Sequence, residues 1–99
     1  MYILRCSDGT YYVGSTRNVY GRLEMHNAGI GASYTRRRRP VELVYAEQFE
    51  SVAQAYLREK QVQNWSRAKR EALIHGDHAA LRRGARSTRR AQRDEGLVE

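Results

Sequence analysis

Residues 1–6 (MYILRC) and 10–16 (TYYVGST) are dense in aromatic and β-branched side chains, and Ser7-Asp8-Gly9 interrupts them. Two strands joined by a turn are predicted. The register decides which side chains share a face. A two-residue Asp-Gly turn pairs Tyr2 with Ser15 and puts Tyr2 and Tyr12 on opposite sides of the sheet. A three-residue loop, with Gly9 in the left-handed conformation, pairs Cys6 with Thr10 instead. Tyr2, Leu4, Tyr12 and Gly14 then share one face; this register, which brings both tyrosines together, is the expected one.

Further along, Asn18 can cap a helix running to about Asn27, with Gly29 ending it. Val19, Arg22, Leu23 and His26 form a stripe on it at helical spacing. Residues 29–40 (GIGASYTRRRRP) read as a loop, glycine-rich first, then four arginines, then the only proline. Residues 41–49 (VELVYAEQF) alternate as a third strand, with Val41, Leu43, Tyr45 and Phe49 on one side. Ser51-Val52-Ala53-Gln54 is a capping box, so a helix should begin at Val52. Its stripe is Ala53, Tyr56, Leu57 and Lys60. Ser66 can cap a short helix through about His75, and Gly76-Asp77 offers a break. Residues 78–95 read as a basic helix or a frayed tail. The predicted fold is α+β: a small three-stranded antiparallel sheet flanked by helices, in the order β-β-α-β-α-α plus the basic segment.

The 99 residues leave room for one domain, placed at 1–76, with 77–99 as a basic extension. Charge changes the picture more than size does. Formal net charge is +7 and the sequence pI is about 10.1. That predicts a polyanionic partner, nucleic acid first, the plain alternative being a basic protein that merely stays soluble. Arginine far outnumbers lysine, and a guanidinium grips phosphate with two parallel hydrogen bonds. No stretch approaches a transmembrane length, and the basic segments lack a strong apolar face, so a membrane is not the expected partner. No signal-peptide core follows the start, so secretion is not expected. Cys6, the one cysteine, cannot form an internal disulfide and should be a reduced, half-buried thiol in the cytoplasm.

Much chemistry has no residues to carry it. There is no Cys/His cluster at zinc spacing and no phosphate-binding glycine loop before a lysine and serine. His26, His75 and His78 do not form a helix pair at metal spacing. What stands out is an ordered set. Met1-Tyr2 is followed ten residues after Tyr2 by Tyr12, in Tyr12-Val13-Gly14, and ten residues later by Arg22. His26 comes one helical turn after Arg22, and Glu59 lies within Arg58-Glu59-Lys60-Gln61 on a later helix. Across roughly residues 1–76 this set resembles the GIY-YIG nuclease family, most of all its small stand-alone bacterial members. Tyr12-Val13-Gly14 is a variant of the second motif. Of the first motif only Met1-Tyr2 is present, the chain starting where glycine and isoleucine would lie. Ser15 stands where some members carry a lysine, and Asn64 is a candidate for the asparagine that often supports the site.

Phosphodiester hydrolysis needs charge stabilisation at the phosphoryl oxygens, a base for water and help for the leaving oxygen. One hydrated Mg2+ (or Mn2+) placed by a single carboxylate can serve the leaving side. The resemblance implies Glu59 as that metal ligand, Arg22 as the grip on the scissile phosphate, and Tyr2 or Tyr12 as the base. A phenol beside a metal and an arginine should have its pKa lowered. His26 would hydrogen-bond a phosphate oxygen or relay a proton. Plainer roles exist for each: amphipathic strand tyrosines, a solvated arginine, a structural histidine, a surface ion pair. Tyr34 with Arg36, Arg37, Arg38 and Arg39 would grip a nucleic-acid strand through phosphate contacts and base stacking. Arg82, Arg83, Arg86, Arg89, Arg90 and Arg93 would reach phosphates outside the cleft. The expectation is a metal-dependent endonuclease acting on DNA, in repair or processing, with weak sequence preference and with RNA as a second partner. The alternative is a non-catalytic nucleic-acid-binding module of the same fold.

Overall fold

The computed structural model describes residues 1–76. The elements run β1 (Tyr2–Arg5), β2 (Tyr11–Gly14), α1 (Val19–Asn27), α2 (Ser33–Arg36), β3 (Glu42–Ala46), α3 (Val52–Gln63) and α4 (Arg67–His75). Met1–Asn64 forms one compact unit, and a second begins at Trp65. The expected basic helix or tail, with its six arginines, lies outside the described residues.

The sheet has the order β2-β1-β3, all antiparallel, so the most apolar strand is central. The hairpin adopts the expected register. Cys6 N donates to Thr10 O at 2.8 Å, Gly9 N donates to Cys6 O at 2.9 Å, and Gly9 has φ 86°. Asp8 Oδ1 accepts from both the amide and the hydroxyl of Thr10, which holds the loop. Tyr2 therefore lies opposite Gly14, and Leu4 opposite Tyr12. That face carries one apolar cluster, in which Tyr2, Leu4, Cys6 and Val41 are buried and Tyr12, Val19, Leu23 and Leu43 pack against them; Ile3 and Val13, on the other face, are buried as well. Full burial of an aliphatic side chain such as Leu4 contributes about 1.5–3 kcal/mol. Cys6 is buried rather than half-buried, and burial raises its thiol pKa.

Three expectations are corrected. The stretch 29–40 is not all loop: α2 forms inside it, and Tyr34 and Arg36 ride on that helical turn. Strand β3 does not keep one alternation. Its register against β1 slips between Ile3 and Leu4, so that Tyr45 pairs with Ile3 while Leu43 pairs with Leu4. The extra residue, Val44, puts Tyr45 on the face opposite Leu43. On α3 the stripe Ala53, Tyr56, Leu57 and Lys60 is exposed, whereas Val62 is fully buried. That helix begins as predicted, with Ser51 Oγ accepting from Gln54 N, and it is tied down by polar contacts. Arg58 donates twice to Glu47, at 3.0 and 3.1 Å, and Gln63 Nε2 donates to Val13 O at 3.0 Å. A helix anchored this way leaves an apolar stripe free to face water, which periodicity alone cannot foresee. Among the described residues no helix is long and apolar enough to cross a membrane.

Candidate active site

The hairpin register puts the rings of Tyr2 and Tyr12 on one face, with centroids 6.4 Å apart. Gly14 makes this possible. A Cβ there would lie 2.7 Å from Tyr2 Oη and 3.1 Å from Tyr12 Cε2, so a side chain at 14 would push on both phenols. Asn18 Oδ1 accepts from Gly21 N and starts α1, whose inward stripe delivers Arg22 and His26 to the same face. His26 is almost wholly buried at 1% exposure, a cost that a histidine bears only with both ring nitrogens partnered.

Both are. Tyr2 Oη lies 3.0 Å from His26 Nε2, and Thr35 Oγ1 lies 2.7 Å from His26 Nδ1. Thr35 Oγ1 also donates to the Ala32 carbonyl at 3.0 Å. A carbonyl only accepts, so the single hydroxyl proton of Thr35 points there, and the hydroxyl must accept from Nδ1–H. Nε2 is then bare and accepts from the Tyr2 hydroxyl. Gly31 lets the chain pass this ring: a Cβ there would meet His26 Nδ1 at 2.5 Å. Tyr12 packs on the same imidazole, centroids 5.1 Å apart.

From the far side of β2, α3 supplies Glu59. Its Oε1 accepts from Ser15 Oγ at 2.7 Å and its Oε2 from Gln63 Nε2 at 2.8 Å. The Gln63 amide nitrogen bonds Glu59 with one hydrogen and Val13 O with the other, so the carboxylate is aimed by its neighbours. Lys60 Nζ approaches only to 3.7 Å. Ser15, which stands where some family members carry a lysine, hydrogen-bonds the glutamate. Asn64 is the C-terminal cap residue of α3.

Electrostatics join these groups. Burial pushes the Tyr2 phenol up to about 12, with Tyr12 and Glu59 adding to the shift and Arg22 opposing it. Tyr12 is also raised, by burial first and Glu59 second, again against Arg22. With the protein's own groups alone, burial outweighs the guanidinium at both phenols. Burial, then Arg22, lowers the His26 pKa. Arg22 has no carboxylate partner among the described residues, so its charge is available to an anion beside Tyr2. Among those residues no group of three or more His, Cys, Asp or Glu could hold a metal ion. One oriented carboxylate with lone pairs to spare fits a divalent cation that keeps most of its waters, and does not fit a dehydrated cage.

The arginine run is mostly occupied. Arg38 donates to Asp8 Oδ2 at 3.0 Å and to Tyr34 O at 2.8 Å, and its guanidinium lies 3.8 Å from the Tyr34 ring centroid. Tyr34 in turn stacks on Tyr12, centroids 6.2 Å apart and planes at 26°. Arg36 bonds Gly29 O, and Arg39 bonds Arg36 O and Asn27 O. Carbonyl oxygens offset the repulsion among these cations and build the loop that carries α2. Arg38→Ala should therefore lower the unfolding free energy by about 1 kcal/mol, from one half-exposed ion pair and one cation–π contact. Arg37 has no such tie among the described residues. Arg37→Ala should leave stability unchanged and reduce the salt slope of nucleic-acid binding by about 1. Urea melts and titrations at several salt concentrations check both.

Sequence reasoning missed Thr35, Gln63 and the bond from Ser15 to Glu59. Gln63 was findable, four residues after Glu59 on one helix face. Thr35, nine residues from His26, carried no signal.

A sheet of this order presents its phenols to an arginine, a histidine and an outlying glutamate, and the family match implies a nuclease-type catalytic domain. The chain belongs to the GIY-YIG family: the GIY-YIG catalytic domain matches residues 1–72. Domains of this family generally depend on a divalent metal. The chain is 51% identical over 74 residues to a UPF0213 protein of Halobacterium salinarum, covering 75% of this chain and 96% of that one. Against a UPF0213 protein of Natronomonas pharaonis the identity is 50%, covering 75% and 87% of the two chains. Against one of Staphylococcus aureus it is 46%, covering 75% and 90%. No solved structure matches the chain.

Proposed function

We propose that this chain is a metal-dependent endonuclease that hydrolyses DNA phosphodiester bonds in repair or processing, with weak sequence preference, and that residues 1–76 are its catalytic domain. The observation that carries this reading is the hydrogen bond from Tyr2 Oη to the bare Nε2 of His26, 3.0 Å long, beside Arg22, which bonds the same phenol and has no carboxylate partner among the described residues. Arg22 binds a non-bridging oxygen of the scissile phosphate. A water in line with the leaving oxygen gives its proton to Tyr2 Oη as the Tyr2 proton passes to His26 Nε2. The phenol stays neutral throughout, so a pKa near 12 is no obstacle. Thr35 stabilises the resulting imidazolium through Nδ1–H. The new P–O bond forms, the ester P–O bond breaks, and the leaving alkoxide takes a proton from solvent. Glu59, aimed by Ser15 and Gln63, would hold the Mg2+ or Mn2+ that polarises the phosphoryl and leaving oxygens when bound. Tyr12 braces His26 and Tyr34 and offers its hydroxyl to the phosphate.

The test is a cleavage assay on single-stranded, duplex and branched DNA with magnesium and with manganese. Binding without cleavage under all of these conditions would leave a nucleic-acid-binding module.

His26 accepts a proton only when neutral. Its pKa is lowered from 6.5, so the neutral form persists below that pH. The acid limb of kcat/KM should therefore be centred below about pH 6.5, with a plateau above it. The same shift makes stability depend on pH: stability is complete above the unfolded pKa and falls as pH drops through the folded one, because the imidazolium is disfavoured in the folded chain. A pH–rate profile from pH 5 to 8 checks this, and an acid limb centred above pH 7 rules His26 out as the acceptor.

A further inference from the structure

A second concavity of about 710 Å3 opens beside the catalytic phenol, and Tyr2 and Ser15 form part of its wall. Its other lining includes Arg17, Val19, Ala46, Phe49, Val52 and Ala55. The volume lies within the range of small-ligand sites, and the lining is mixed, with Thr16, Glu47, Gln48, Glu50 and Ser51 beside the apolar groups. Phe49 and Val52 stand 39% and 52% exposed, apolar surface turned to water at the edge of a site built for a polyanion.

Two features define the occupant. The nucleotide bonded to the scissile phosphate must lie in space adjoining Tyr2, and this groove is such a space. An unstacked base there needs a ring to lie on. Tyr34 is engaged by Tyr12 and by the Arg38 guanidinium, so it is not that ring in this arrangement. Phe49 shares the groove with Tyr2 and is open. The charge also suits a nucleotide. Glu47 is compensated by Arg58 and by the Tyr45 hydroxyl at 2.6 Å, while Arg17 is an exposed cation. Gln48 and Glu50 bring acceptors for an exocyclic amino group.

We propose that this groove is a nucleobase subsite, in which the base of the nucleotide next to the scissile phosphate stacks on Phe49 beside Val52 and Arg17 meets the following phosphate. The subsite rests on the nuclease reading for the position of that phosphate. It accepts a base only where pairing is absent or broken, so it selects unpaired nucleotides at the cutting point.

The test uses the full chain in EDTA and a set of single-stranded oligonucleotides, each carrying 2-aminopurine at a different position. Binding should quench fluorescence at the position that enters the groove. Phe49→Ala should abolish that quenching and weaken binding about fivefold or more. Phe49→Trp should restore both, which separates stacking from misfolding, and circular dichroism melts verify the fold of each variant. Arg17→Ala should keep the quenching and lower the salt slope by about 1. Wild-type quenching in Phe49→Ala overturns the subsite. Phe49-dependent quenching by a protein that cuts nothing with magnesium or manganese upholds the subsite and overturns the nuclease reading. Cleavage with quenching indifferent to Phe49 does the reverse.

Discussion

Glu59→Ala should reduce single-turnover DNA cleavage by about a thousandfold or more while leaving metal-free binding within a few fold. Ser15 and Gln63 hold the Glu59 carboxylate at 2.7 and 2.8 Å, its charge is felt by both phenols, and no cluster among the described residues can replace it. A metal's charge stabilisation at a phosphoryl oxygen is worth several kcal/mol, and each 1.4 kcal/mol is tenfold in rate. Binding escapes because it depends on cations rather than on Glu59; deleting a negative charge from a cationic cleft should tighten it slightly. The deletion also removes a group that raises both phenols, so their pKa values should fall, and the loss of rate cannot be blamed on a phenol made harder to ionise. Cleavage at the wild-type rate would end the metal role of Glu59.

Tyr2→Phe has the second largest expected effect, about a hundred- to ten-thousandfold on the chemical step, the usual size of a lost general acid–base group. It also takes the donor from His26 Nε2 at a site 1% exposed, which should cost about 1–3 kcal/mol of folding stability. Two independent readouts thus report one hydroxyl. Tyr12→Phe keeps the ring contacts with His26 and Tyr34 and should lower the rate far less. Denaturant melts and single-turnover rates, taken where all variants are folded, check the pair. Equal rate losses in the two variants would deny Tyr2 its special place in the proton path.

Much of the site was legible because its parts are local. Ser7-Asp8-Gly9 allows a two- or a three-residue loop, and once the three-residue loop that unites the tyrosines is taken, a strand's period of two places Tyr2 and Tyr12 on one face. Asn18, Ser51 and Ser66 each cap the helix that follows through a side-chain oxygen and a nearby amide. Helical spacing carried Arg22 and His26 to one stripe. Errors came where a distant partner overrode a local preference. Residues 29–40 read as a loop, but α2 forms there, and Asp8, the Gly29 carbonyl and the Asn27 carbonyl tie down three of the four arginines. The α3 stripe looks like core, but Arg58 and Gln63 pin the helix from another side.

The sequence by itself determined the order of the strands and longer helices and the helix starts, and narrowed the hairpin to two registers, because each depends on contacts spanning a few residues; the five candidate site residues came from the resemblance to a family. Only the tertiary structure decided the bulge that turns Tyr45 away from Leu43, the proton arrangement on His26, the aim of Glu59 and the direction of the phenol shifts. Those depend on burial and on hydrogen bonds between groups 9 to 44 residues apart, such as Thr35 with His26 and Ser15 with Glu59. Burial and long-range hydrogen bonding are properties of the packed chain, and no local pattern encodes them.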